Sequence, residues 1–359
     1  MAAANTESLH RSQIKSNNGI VTSNLSKAYR DFKAVNSLTL NVEPEDIFGF
    51  LGPNGAGKTT TIRMLCGLVL PSSGTGKVAG FDIVKDSVKI RSIVGLLPES
   101  SGFYGWMNAQ EHLVHFALLY KIEPHIAKKR AQDLLEKVGL AEKAHVPISY
   151  YSRGMRQRLG LARTLINDPK IIFLDEPTLG LDPSGQLQIR KILLELNREK
   201  GVTIFLSSHT LSEVSSLCNK IAILDRGTLL AQGSIGELRK RAGISQKILV
   251  RVTDTPEARQ QLLNLPFPSS TTNEGAGLIS VKINTPIESS NKNSANYDIN
   301  DIIDFCMKKG LQIYDIQRPE ISLEEIFFKM TGLPPTLESI DSPFSEEERG
   351  MKSKGARLH

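Results

Sequence analysis

The chain has 359 residues, three cysteines and a formal net charge of +6, with 40% apolar and 23% charged residues. This length exceeds one ordinary domain and the apolar share is enough for a buried core, so one globular core plus a further domain is expected. No apolar run approaches the roughly 18 to 20 residues that a membrane span needs, and the first twenty residues lack a signal-peptide core, so any membrane pathway is expected to belong to another chain. Cys66, Cys218 and Cys306 are isolated, without Cys-x-x-Cys spacing, which argues for buried thiols in a reducing compartment rather than disulfides or zinc.

Residues 1–19 are polar and read as a disordered arm. The apolar run at residues 47–51 reads as a strand buried on both faces. It feeds Gly52-Pro53-Asn54-Gly55-Ala56-Gly57-Lys58-Thr59, which fits Gly-x-x-x-x-Gly-Lys-[Ser/Thr]. In such a loop the glycines let backbone N–H groups wrap phosphates, while the lysine reaches the β and γ oxygens and the hydroxyl, here that of Thr59, ligates Mg²⁺. Thr60 opens a helix whose positive end faces the anion.

Helical patterning fills residues 108–165. His112 and His115 lie three apart there, but no carboxylate beyond Glu111 completes a metal set. Residues 121–163 hold ten Lys and Arg against four Asp and Glu, a local balance of +6. A basic patch suits nucleic acid or lipid headgroups. Interleaved acids and missing aromatic platforms favour a solvated helical face instead, and no nucleic-acid partner is expected. Within Tyr151-Ser152-Arg153-Gly154-Met155-Arg156-Gln157-Arg158, Ser152 and Gly154 precede a helical run and offer a second helix N-terminus to phosphate. Taken alone, that segment reads by default as a Ser helix cap with basic neighbours on a solvated face.

Residues 170–174 read as another almost continuously apolar strand, ending in Asp175 and Glu176. Residues 202–206 repeat the pattern and end in Ser207, Ser208 and His209. Open α/β sheets bind ligands at the carboxyl ends of their strands, so these ends and the Gly52 loop should line one crevice. Asp175 would then help hold Mg²⁺ through water. Glu176 would point differently because side chains alternate along a strand, placing it to polarise an attacking water. After Gly243, residues 248–252, 278–283 and 311–316 pattern like strands and residues 256–263 and 300–309 like helices. Residues 288–296 read as a mobile Ser/Asn-rich loop, and disorder is expected beyond Pro334.

The phosphate loop, the Ser152 segment, the Asp175-Glu176 strand end and His209, in this order, resemble the nucleotide-binding subunit of an ATP-binding cassette (ABC) transporter. The Ser152 segment is similar to the family signature Leu-Ser-Gly-Gly-Gln, with Arg153 at its first Gly and Met155 at its Gln. That substituted form resembles bacterial and archaeal type 2 exporter ATPases for drugs and antibiotics, sodium and polysaccharides. The resemblance covers residues 20–332. It implies an α/β fold: a P-loop NTPase ABC ATPase core with a mostly parallel sheet, a small antiparallel β subdomain, a helical signature subdomain and a small C-terminal α+β domain. The boundaries expected are an arm at 1–19, the nucleotide-binding domain at 20–239 with its helical part at about 108–165, an accessory domain at 240–333 and a tail at 334–359.

The resemblance further implies an ATPase that uses ATP and Mg²⁺. It would dimerise with a second ATP-binding subunit and drive export through a separate polytopic permease, as a cytoplasmic protein held peripherally at the inner face of the membrane. Glu176 and His209 become the hydrolytic pair. Gly52, Pro53, Asn54, Gly55, Ala56, Gly57, Lys58, Thr59 and Thr60 hold one nucleotide, and Ser152 and Gly154 meet the γ-phosphate held by the other copy. Asp182 ends a loop, residues 179–182, that crosses the interface. Tyr29 sits where the family stacks an aromatic on adenine, with Phe32 as the alternative. Glu99 occupies a position normally held by Gln, and either ligates Mg²⁺ beside Thr59 and Asp175 or only couples to the permease. Trp106 belongs to the docking groove or to the core. A soluble ABC-type regulator of a protein or nucleic acid, and a nucleotide-gated binding module, remain as other readings, and the substrate cannot be read from this chain.

Overall fold

The computed structural model describes residues 19–244, 246–252, 255–263, 269–275, 278–283, 299–317 and 322–332. The arm up to residue 18, the loop at 288–296 and the tail from 334 lie outside the described residues.

Three sheets are present among the described residues. The first is antiparallel and contains β1 (Ile20–Tyr29), β2 (Phe32–Leu38), β3 (Asn41–Val42), β5 (Ser73–Val78) and β6 (Phe81–Asp82). The second contains β4 (Ile47–Leu51), β7 (Val94–Leu97), β8 (Ile171–Asp175), β9 (Thr203–Ser208), β10 (Lys220–Asp225) and β11 (Thr228–Gly233) in the order β11-β10-β4-β9-β8-β7. All its neighbours pair in parallel except the β10–β11 hairpin. Every residue of β4, β8 and β9 is buried, as expected of strands covered on both faces.

The pleat sorts these strands into two cores. Phe48, Phe50, Phe173 and Phe205 face the antiparallel sheet, with ring centroids 5.1 to 5.6 Å from Phe205. Ile172, Leu174, Ile204 and Leu206 face the helical side. The helices are α1 (Lys58–Leu65), α2 (Ser87–Ile93), α3 (Ala109–Leu119), α4 (Pro124–Lys137), α5 (Arg153–Thr164), α6 (Pro183–Lys200), α7 (Leu211–Leu217) and α8 (Ile235–Arg241). Their starts are written locally. Asn108 and Glu111 form a capping box on α3, Pro124 and Pro183 open α4 and α6, and Ser152 and Asp182 cap α5 and α6.

The third sheet, β13-β14-β12-β15, is wholly antiparallel and comprises β12 (Gln246–Val252), β13 (Ser269–Gly275), β14 (Leu278–Ile283) and β15 (Ile313–Gln317). With α9 (Pro256–Leu263) and α10 (Ile299–Lys308) it encloses its own small core of Ile248, Val250, Leu262, Ile302 and Cys306. The closing helix α11 (Leu323–Thr331) behaves otherwise. Its Leu323, Ile326 and Phe327 enter the main core, where the helix packs on α7 and α8. Trp106 is 75% exposed, so the core alternative for this residue is excluded.

Candidate functional site

Strand register assembles the site. Leu51 pairs with Ser208 and Asp175 with Ser207, so the ends of β4, β8 and β9 open at one edge of the sheet. Gly57 turns the loop into α1 with φ +98°, and an added Cβ would meet the Ala34 carbonyl oxygen at 2.4 Å, so only glycine fits. No side chain caps α1 and no acid lies in its first turn, which leaves the positive helix end to an incoming anion. A cavity of about 440 Å³ follows, lined by residues 53–60 with Phe32, Ala34, Glu99, Glu176, Leu179 and His209.

Lys58 is buried in the cavity floor. Its Nζ donates to the Gly52 carbonyl at 2.6 Å and reaches that of Pro53 at 3.5 Å. It also lies 3.1 Å from Glu176 Oε1, as an ion pair rather than an aligned hydrogen bond. The other oxygen of Glu176 is 2.8 Å from His209 Nδ1. Cation, carboxylate and imidazole therefore converge on one anion-shaped loop.

Ser207 organises the two acids. Its Oγ donates to Asp175 Oδ1 and accepts from the Glu176 N–H. Pleat alternation does not set the direction of Glu176, because the chain leaves β8 there with φ +51°, a region that side chains other than Gly rarely adopt. Asp175 is 2% exposed and is held by Ser207. Thr59 and Thr60 line the cavity, as does the exposed carboxylate of Glu99. Asp175 itself is not among the residues lining the cavity.

Of the two aromatic candidates, Phe32 lines the cavity and Tyr29 does not. The two residues face each other across the β1–β2 hairpin, and Tyr29 carries Lys27 Nζ over its ring at 5.0 Å. Both rings are exposed, so neither fills the antiparallel sheet.

Ser152 and Gly154 stand apart from this cavity. Ser152 is exposed and its Oγ accepts from Met155 N at 3.2 Å. The signature helix nonetheless touches the loop after Glu176. Gln157 Nε2 donates to the Pro177 carbonyl at 2.7 Å, and the Arg153 guanidinium lies so close to Gly180 that a Cβ there would meet it at 2.2 Å. Asp182 Oδ1 accepts from Gly185 N at 3.3 Å. The sequence placed Ser207 and Ser208 at a strand end lining the crevice without giving them a role, and Glu213 was passed over. The only signal for the first two was a pair of hydroxyls at the end of an otherwise apolar strand.

His112 is fully buried against Phe103 and Phe116, with neither ring nitrogen bonded among the described residues. Burial, aided by the Arg163 and His115 charges, lowers its pKa to about 4, so the ring is neutral.

The family profile described as ABC transporter matches residues 35–179. The ABC transporter ATP-binding protein YhcH of Bacillus subtilis (strain 168) is 34% identical over 309 residues, covering 86% of this chain and 94% of the relative. The bacitracin transport ATP-binding protein BcrA of Bacillus licheniformis is 43% identical over 223 residues, covering 62% of this chain and 72% of the relative. A solved structure described as the ATP binding subunit of an ABC transporter is 27% identical, with a TM-score of 0.58 over 63% of this chain and 93% of that one. With a phosphate loop, two strand-end acids and a histidine set on an ABC ATPase fold, the chain belongs to the ABC transporter ATP-binding proteins.

Proposed function

We propose that this chain is the ATP-hydrolysing subunit of an ABC exporter, which closes on ATP with a second ATP-binding subunit and drives an unidentified substrate through a separate polytopic permease. The observation that carries the reading is the buried Lys58–Glu176 pair, joined by His209 and set at the uncapped end of α1. The likeness to a bacitracin transport ATP-binding protein supports the exporter assignment.

When bound, MgATP supplies the phosphoanhydride to be cleaved and a metal charge that offsets its oxygens. The N–H groups of residues 53–60 and the ammonium of Lys58 bind the phosphates. Lys58 must exchange its carboxylate partner for phosphate oxygens, which frees Glu176 to accept a proton from water. His209, held at Glu176, faces the charge that develops on the transferring group. The Thr59 hydroxyl and Asp175 would hold the metal, with Glu99, which lines the cavity, as a further oxygen donor. Phe32 is the ring available to the base, in place of Tyr29.

Ser152 is exposed and Gly154 half-buried, and neither lines its own chain's cavity, which supports a role opposite the phosphates of another copy. Closure then couples to the permease because nucleotide binds the closed pair better than the open one. No helix among the described residues is long and apolar enough to cross a membrane. A peripheral place on the cytoplasmic face, beside the permease, follows from this reading.

The test is affinity capture of tagged Glu176→Gln protein with MgATP from gently solubilised membranes of the source cell. A stoichiometric polytopic membrane protein is the expected companion. A soluble companion, or a self-dimer alone, would overturn the exporter assignment.

A further inference from the structure

We propose that Glu213 is a positioning residue for hydrolysis, whose carboxylate clamps the segment bearing His209. This rests on the reading that Glu176 and His209 act on ATP. Glu213 lies in the first turn of α7 and lines a second cavity of about 510 Å³, whose wall also includes Glu176, Thr178 and His209.

Ser208 Oγ donates to Glu213 Oε2 at 2.7 Å and accepts from the Thr210 N–H at 3.0 Å. Ser208 and Thr210 flank His209. One carboxylate oxygen therefore fixes, through one hydroxyl, the backbone on both sides of the imidazole. The imidazole in turn meets Glu176. Burial pushes the Glu213 carboxyl's pKa up; the hydrogen bond from the Ser208 hydroxyl opposes it, the Glu176 charge adds to the rise and His209 counters it. The other oxygen of Glu213, Oε1, is buried without a hydrogen-bond partner among the described residues, on a cavity wall it shares with Thr178 and Glu176.

The support under Glu213 is rigid. Leu211, Val214 and Leu217 are buried, and Val214 Cγ1 would lie 2.5 Å from a Cβ added at Gly49 of β4. α11 packs on the same helix. The clamp is thus anchored to the core and acts on a loop, the arrangement that holds a reacting group to the sub-ångström tolerance that catalysis needs.

The experiment compares the full chain with Glu213→Ala, Glu213→Gln, Ser208→Ala and the Ser208→Ala/Glu213→Ala pair. ATP turnover, affinity for a fluorescent ATP analogue and hydrogen exchange of the His209 segment without nucleotide are measured on each. Glu213→Ala should lower kcat about ten- to hundredfold while leaving nucleotide affinity nearly unchanged. Glu213→Gln keeps an oxygen for the Ser208 hydroxyl and should recover most of the rate. The double variant should be no slower than the slower single one, because both changes break one contact.

Exchange at the His209 segment should rise in Glu213→Ala and Ser208→Ala and stay near the original value in Glu213→Gln. If Glu213→Ala does not fold, Ser208→Ala carries the same rate and exchange expectations. Unchanged turnover in Glu213→Ala, multiplicative losses in the double variant, or a Gln variant as slow as the Ala variant would overturn the clamp. A parent chain that fails to hydrolyse ATP would instead overturn the ATPase reading, and unchanged exchange in the variants would then still overturn the clamp.

Discussion

Lys58 and Glu176, far apart in sequence, form a buried ion pair of 3.1 Å with side chains 7% and 8% exposed. An anion entering the loop must compete with this carboxylate for the ammonium. Removing one partner leaves the other charge buried with less compensation, so each substitution changes more than one contact.

Glu176→Gln should retain ATP binding and lose hydrolysis by roughly 10²- to 10⁴-fold, the range expected for loss of a proton-accepting group. Steady-state phosphate release checks the rate, and size-exclusion chromatography with ATP should reveal an accumulated dimer. Turnover equal to the parent would remove Glu176 from the hydrolytic role.

Lys58→Ala and Ser152→Ala chains should each be inactive as homodimers. Lys58 loses charge-assisted phosphate bonds worth about 1.5 to 3 kcal/mol, so its variant should bind a fluorescent ATP analogue at least about tenfold more weakly. Mixing the two variants should restore turnover, because a mixed dimer joins an intact Lys58 on one chain with an intact Ser152 on the other. A mixture as inactive as its components would count against a site shared between copies.

Phe32→Ala should weaken nucleotide binding by about 1 to 3 kcal/mol, the usual contribution of base stacking on an aromatic ring, while Tyr29→Ala should leave it nearly unchanged. Titration of both variants with ATP and with inorganic triphosphate separates the ring's effect on the base from any effect on the phosphates.

Phe327→Ala should destabilise the main core by about 3 to 5 kcal/mol, the cost of emptying a fully buried aromatic site. Denaturant unfolding followed in the β-sheet signal would show it. A loss confined to the residues after 246 would mean that α11 belongs with the third sheet.

The chain should lose stability as pH falls from 6.5 toward about 4, because the unfolded chain takes up a proton that folded His112 refuses. The lowered folded pKa makes His112 stabilising above this window and progressively less so within it. His112→Phe should flatten this part of the pH dependence, measured as the shift of the urea midpoint between pH 7 and pH 4.

What the sequence determined by itself is local. The phosphate loop was legible because its work is done by consecutive backbone groups and one glycine conformation, both written within residues 52–59. Strands β4, β8 and β9 were legible because burial on both faces forces a continuous apolar run, and the cap Ser152 because a hydroxyl need reach only three residues ahead.

The remainder depended on which residues far apart in the chain are brought together. Parallel register sets Asp175 beside Ser207, and the left-handed turn at Glu176 aims its carboxylate at both Lys58 and His209. Hairpin geometry put Phe32 and not Tyr29 in the cavity wall, Arg153 found its place against Gly180, and α11 crossed back to the main core. None of these has a periodicity or a spacing to announce it. Each is a contact between segments whose separation along the chain carries no information about their separation in space, and only packing decides it.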